Sequence, residues 1–140
     1  MREKKWKDCP ACGAKDSMHH KSGITEKINL AGYSPLEING LEGQFCTVCG
    51  EGFWSVKSEK KISHLLALHR AESDSKTVVA AELASVKEAA ATLHLSAQGI
   101  HKMMNEGRLR YVLAGGLKLP IRKDLARQAQ TRQRAMHRHA

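Results

Sequence analysis

The chain has 140 residues, room for one ordinary domain or two small ones, and its 41 % apolar content excludes a disordered tail. Aromatics are only 4 %, which favours two small cores, one of them helped by a metal, over a single large core. A formal net charge of +9 and a pI of about 9.6 point to an anionic partner, with nucleic acid ahead of a membrane surface, and no apolar run approaches the ~18–20 residues of a membrane span.

Residues 1–7 are charged and have no apolar stretch behind them, so no secretory signal is expected and the location is expected to be cytoplasmic. Four cysteines without such a signal read as thiols held by a metal in a reducing compartment. They form two C-x-x-C pairs, Cys9-Pro10-Ala11-Cys12-Gly13 and Cys46-Thr47-Val48-Cys49-Gly50. Two intervening residues let one tight turn aim both sulfurs at one point. The glycine after each pair accepts the positive φ that such a turn needs. Two turns together give four sulfurs in a tetrahedron, which suits one structural Zn2+ at Cys9, Cys12, Cys46 and Cys49. A closed four-thiolate set leaves no position for water, so metal catalysis is not expected. His19 and His20 follow the first pair and read as bystanders, because four thiolates already complete a site.

Between the pairs, residues 24–30 and 36–41 alternate partly between apolar and polar, with Gly32 and Pro35 between them; a β-hairpin bridging the two turns is predicted. Phe45, Phe53 and Trp54 are expected to pack over the metal site. From Ser58, read as N-cap, to about Ala71, the residues Ile62, Leu65, Leu66 and His69 recur at helical spacing. That helix would close the first domain or pair with a copy of itself. His64 and His69 read as helix-surface residues, and polar Glu72–Lys76 as a linker.

In the second half, Ser85-Val86-Lys87-Glu88 is a capping box opening an alanine-rich helix, 86 to about 93. His94-Leu95 makes a turn, and Ser96 caps a helix over about 97–105 whose apolar face is Ile100, Met103 and Met104. Gly107 ends it in the left-handed conformation. Arg108–Leu113 and Leu117–Ile121 flank an Ala114-Gly115-Gly116 turn and read as a hairpin. A short helix from Lys123 to about Ala129 is expected, followed by a loose basic end. Residues 107–140 hold nine Lys or Arg against one acid, Asp124, which is nearly the whole charge excess.

Over residues 6–70, the Cys9-Pro10-Ala11-Cys12-Gly13 turn, the hairpin-like spacer, Gly43-Gln44-Phe45-Cys46-Thr47-Val48-Cys49-Gly50-Glu51 and the following helix resemble the YgiT-type zinc-finger domain of MqsA-like antitoxins. The resemblance implies zinc at the four cysteines and a domain that grips a toxin. Over residues 78–128, the segments beginning at Ser85, Leu95, Asn105 and Gly115 resemble the winged helix-turn-helix of excisionase and MerR-type DNA binders. There the chain departs from the all-helical, phage-repressor type of unit found in MqsA.

The expected fold is therefore α+β, with a zinc domain over 1–71, a linker over 72–84, a winged helix-turn-helix over 85–128 and a basic tail over 129–140. The second helix would enter the major groove, with Gln98 and Lys102 at base edges or phosphates and His101 adding a hydrogen bond or helping to hold the helix. Arg110 and Lys118 on the wing would lie along phosphates or dip into the minor groove, and Arg122 and Lys123 after it would contribute mainly charge neutralisation. The expected function is a DNA-binding repressor acting as the antitoxin of a type II pair. It would be a homodimer with double-stranded DNA and a cognate toxin as partners, and no membrane. The alternative is a phage or excisionase-like regulator with no toxin. No nucleophile–base pair or phosphate-cradling glycine loop suggests an enzyme.

Overall fold

A computed structural model describes residues 4–138. Residues 1–3 and 139–140, at the ends of the ranges assigned to the first domain and the basic tail, lie outside the described residues. The protein is mixed α+β: among the described residues it has a three-stranded sheet, a two-stranded sheet and four α-helices. The chain divides into two units, Met1–Ile62 and Ser63–Ala140.

The first unit is an antiparallel sheet in the order β1 (Met18–Ile28), β2 (Leu36–Cys46), β3 (Gly52–Trp54). The hairpin is longer than the alternation indicated: β1 begins at Met18, and β2 continues through Cys46. Register explains the extension. Met18 lies opposite Cys46 and His19 opposite Phe45, so both strands run up to the cysteine turns. Register shifts between Lys21 and Glu26 interrupt the pairing, which hides the period-2 pattern. β3 approaches β2 so closely that a Cβ on Gly43 would sit 2.3 Å from the Phe53 carbonyl oxygen, and one on Gly52 would sit 2.3 Å from that of Gln44. Only glycine fits at either place. Ile38 and Leu41 are buried, Phe45 meets Trp54 edge-on at 5.3 Å, and Trp6 stacks on Phe53 at 6.1 Å.

The helix that follows, α1 (Val56–Asp74), starts earlier than expected. Its cap is Ser55, whose hydroxyl accepts the Ser58 N–H at 3.1 Å. Ser58 itself is buried, and its hydroxyl accepts the Glu42 N–H at 2.9 Å. The division between units falls inside this helix. The residues that recur at helical spacing, Ile62, Leu65, Leu66 and His69, are only half-buried; Ala67 and Ala71 are the ones sunk in the core of the second unit.

Residues 72–84, read as a linker, are held in place. α1 continues to Asp74, whose carbonyl accepts the N–H groups of Thr77 and Val78, and a short 3-10 turn covers Ala80–Glu82. Leu83 then bridges to Ile121, and Ala84 N–H reaches the Pro120 carbonyl at 2.9 Å. Two short helices follow, α2 (Val86–Leu93) and α3 (Ala97–Asn105), each capped as its sequence indicated. Ser85 Oγ accepts from Glu88 N–H and Ser96 Oγ from Gly99 N–H, both at 3.0 Å. His94 makes the turn in the left-handed conformation, φ 54°. Ala89, Leu93, Ile100, Met103, Met104, Leu109, Tyr111 and Leu125 complete the core.

After Gly107 (φ 76°), the N–H groups of Arg108 and Leu109 are both taken by the Met103 carbonyl, so β4 starts only at Tyr111. β4 (Tyr111–Ala114) and β5 (Leu117–Pro120) pair around Gly115-Gly116, at φ 57° and 76°, the double positive φ of a tight hairpin turn. The last helix, α4 (Arg122–Arg138), is 17 residues long and overturns the expectation of a loose end after Ala129. Residues 122–138 contain no glycine or proline, and are rich in the helix formers Ala, Arg and Gln.

Candidate metal centre and candidate nucleic-acid interface

The four cysteines converge. The Met18–Cys46 pairing carries the two turns to the same end of the sheet, and Thr47 N–H crosses between them to the Ser17 carbonyl at 2.9 Å. Each turn is closed by its glycine: Gly13 N–H bonds the Cys9 carbonyl at 2.9 Å, and Gly50 N–H the Cys46 carbonyl at 3.1 Å. Both glycines have φ between 76° and 79°, as the turn chemistry requires. The Sγ atoms all lie within 4.8 Å of one another, with Cys9–Cys49 and Cys12–Cys46 at 3.7 Å. Disulfide sulfurs are bonded at about 2.05 Å, so these are free thiols. Four thiolates around an ion at ~2.3 Å would be separated by about 3.8 Å in a regular tetrahedron. The cluster therefore has the dimensions of a four-sulfur metal site.

Its electrostatics suit a cation. The Ser17 hydroxyl, 3.3 Å away, and then the N–H groups of Cys49 and Val48 hold the Cys46 thiol down to about 6, against the opposing effect of burial. The Cys12 N–H likewise lowers Cys9. At Cys49 a bond from Glu51 N–H works in the same direction. Burial and the three neighbouring thiols outweigh it and push Cys49 up to about 12. Negative charge on one sulfur opposes ionisation of the next, so all four lose their protons only against a positive ion. His19 and His20 are exposed on β1 and outside the cluster; His20 Nε2 lies 3.6 Å from the Glu42 carboxylate.

The second group of residues singled out from the sequence divides into two kinds. Gln98, His101 and Lys102 are exposed on α3, while Ile100, Met103 and Met104 are buried beneath them. At 100° per residue, Gln98, His101, Lys102 and Asn105 share an arc of about 100° on the outer face. The cations around the hairpin are engaged inside the unit. The Arg110 guanidinium meets the Asp74 carboxylate at 2.6 Å, and Arg110 N–H donates to Asp124 Oδ2 at 2.7 Å. The Lys118 ammonium bonds Asn105 Oδ1 at 2.6 Å and lies 5.3 Å from the centre of the Tyr111 ring. Arg122 pairs with Glu88, whose carboxyl it holds below the usual carboxylate value. Lys123 is exposed and has no acid partner among the described residues.

Sequence reasoning passed over Asn105, whose side chain shares the α3 arc and anchors the hairpin through Lys118. It also left Arg127, Arg134 and Arg138 without a site role. The run 127–138, free of helix breakers, was the available signal. No helix among the described residues is long and apolar enough to cross a membrane. No protein-family model, no curated protein and no solved structure matches this chain.

Proposed function

We propose that this protein is a zinc-binding transcriptional repressor that grips duplex DNA and serves as the antitoxin of a type II toxin–antitoxin pair. On this reading α2, the His94–Leu95 turn and α3 form a helix-turn-helix with α3 as the reading helix, and the β4–β5 hairpin is its wing. The four thiolates hold one structural Zn2+, the ion that suits a closed set of four sulfurs. The first unit holds the toxin, the second holds an operator, and two copies bind a palindrome. No enzymatic activity is assigned.

The observation that carries the DNA reading is the outer face of α3. Its buried apolar row orients Gln98, His101, Lys102 and Asn105 together into solvent. Gln98 can pair with adenine in the major groove, Lys102 can reach guanine or a phosphate, and His101 adds a hydrogen bond. Arg110, Lys118 and Arg122 serve by bracing the hairpin and α4, through Asp74, Asn105 and Glu88. Lys123 is left to neutralise phosphate.

The test is binding of a fluorescent duplex taken from upstream of the chain's own coding sequence. Lys102→Glu is expected to weaken binding at least tenfold, within the ~1–3 kcal/mol of a good base contact. Unchanged affinity would remove α3 from the interface. The toxin is sought by affinity purification of the tagged chain from its host. Recovery of no small protein encoded beside it would remove the antitoxin part.

A further inference from the structure

Of the nine cations in residues 107–140, six are spent within the protein. Arg108 pairs with Glu106, Arg110 with Asp74, Arg122 with Glu88 and Arg127 with Asp124. Lys118 bonds Asn105, and Arg132 donates to the Leu93 carbonyl at the end of α2 at 2.7 Å. The three without an intramolecular partner among the described residues are Lys123, Arg134 and Arg138, and all three lie on α4. At 100° per residue they fall, together with Arg127, within an arc of about 60°. Leu125 and Ala129, which pack into the core, occupy the opposite side.

We propose that this face of α4, carrying Lys123, Arg134 and Arg138, is a second duplex-DNA contact that reads no sequence and lies along a phosphate backbone. The inference rests on the DNA-binding reading above. Three observations favour it. First, Arg134/Arg138 is a like-charge pair at i,i+4, which weakens a helix by itself, and the only acid on α4, Asp124, is already paired with Arg127. Such a stripe is stabilised by an external anion, whereas an ordinary solvated face mixes signs.

Second, α4 is fixed along α2 at two points, by Arg122 to Glu88 and by Arg132 to the Leu93 carbonyl. In a helix-turn-helix the first helix crosses the phosphate backbone, so α4 travels with it. Third, the stripe from Lys123 to Arg138 runs about 22 Å, against one phosphate per ~3.4 Å of axis on each strand. A membrane surface is a poorer match: an interfacial helix needs a free apolar face, and here Leu125 and Ala129 are already committed to the core.

The experiment measures the affinity of the full chain for a short random-sequence duplex as KCl is raised. It compares wild type, Arg134→Gln/Arg138→Gln, Lys102→Glu, and Lys21→Gln/Lys27→Gln, which removes equal charge from the first unit. Gln keeps the helix, and circular dichroism checks that it does. Each lost phosphate contact lowers the slope of log affinity against log salt by about 0.9, so the α4 double variant is expected to lose about 1.8, or roughly 60-fold in affinity near 0.1 M salt. The β1 double variant is expected to match wild type.

An unchanged slope in the α4 variant, or an equal drop in the β1 variant, overturns this inference while the reading of α3 stands. A full effect in the α4 variant with none in Lys102→Glu overturns the α3 assignment instead. If wild type ignores duplex in dilute salt, both fall. If Arg134 and Arg138 are needed for binding phosphatidylserine vesicles and not duplex, the partner named here is wrong.

Discussion

Removing the metal should unfold the first unit and leave the second folded. Apart from cysteine, the large apolar side chains buried in the first unit are Met18, Ile38 and Leu41. At ~1.5–3 kcal/mol each they contribute about 5–9 kcal/mol, an upper figure because an unfolded chain already buries some of that area. A structural zinc held by thiolates contributes about 10–16 kcal/mol to such a fold. A bound zinc would thus contribute more than the apolar core.

The assay follows from where the fluorophores sit. Both tryptophans, Trp6 and Trp54, lie in the first unit, while α2, α3 and α4 lie in the second. With excess chelator under reducing conditions, tryptophan emission should shift to the red and lose its cooperative thermal transition. Most of the helical far-UV ellipticity should remain and melt separately. Stoichiometric zinc by elemental analysis, and recovery of the emission on its return, complete the result. A reduced protein that carries no metal and whose tryptophan transition ignores chelator would refute the reasoning.

Two further outcomes follow from the second unit. The Glu88 carboxyl is lowered first by its bond from Arg122 and then by the Ser85 N–H of the capping box, with burial opposing. A lowered acid stabilises the fold above its ordinary value of 4.5 and loses that contribution as pH falls through the lowered one. Glu88→Gln should therefore unfold more readily than wild type in urea at pH 7, with the gap closing in acid; a gap independent of pH would show that Arg122 is not the cause. His94 holds the α2–α3 turn at φ 54°, which costs a side-chain-bearing residue ~1–2 kcal/mol. His94→Gly should raise the urea midpoint at unchanged slope, a gain in stability of up to about 1 kcal/mol after the greater freedom of glycine in the unfolded chain is counted. A lower midpoint would mean that the imidazole makes contacts worth more than the strain.

What the sequence determined by itself is what acts over a few residues. Each C-x-x-C-G turn closes on its own backbone, so the sulfur pairs were legible from spacing. Ser85, Ser96, Gly107 and the Gly115-Gly116 turn were legible for the same reason: a hydroxyl reaching an N–H three residues on, or a positive φ, is a local event.

Tertiary structure decided the rest. The Met18–Cys46 register sets where β1 begins, and local alternation does not carry register across a bulge. Ala67 and Ala71, not the larger apolar residues of α1, are the buried ones, because only small side chains allow that helix a close approach to the second core. Arg110 finds Asp74 36 positions away, and Arg122 finds Glu88 34 positions away. Which cations are spent on the fold and which remain exposed is thus settled by packing, because a charge pairs with whatever acid the fold brings within reach.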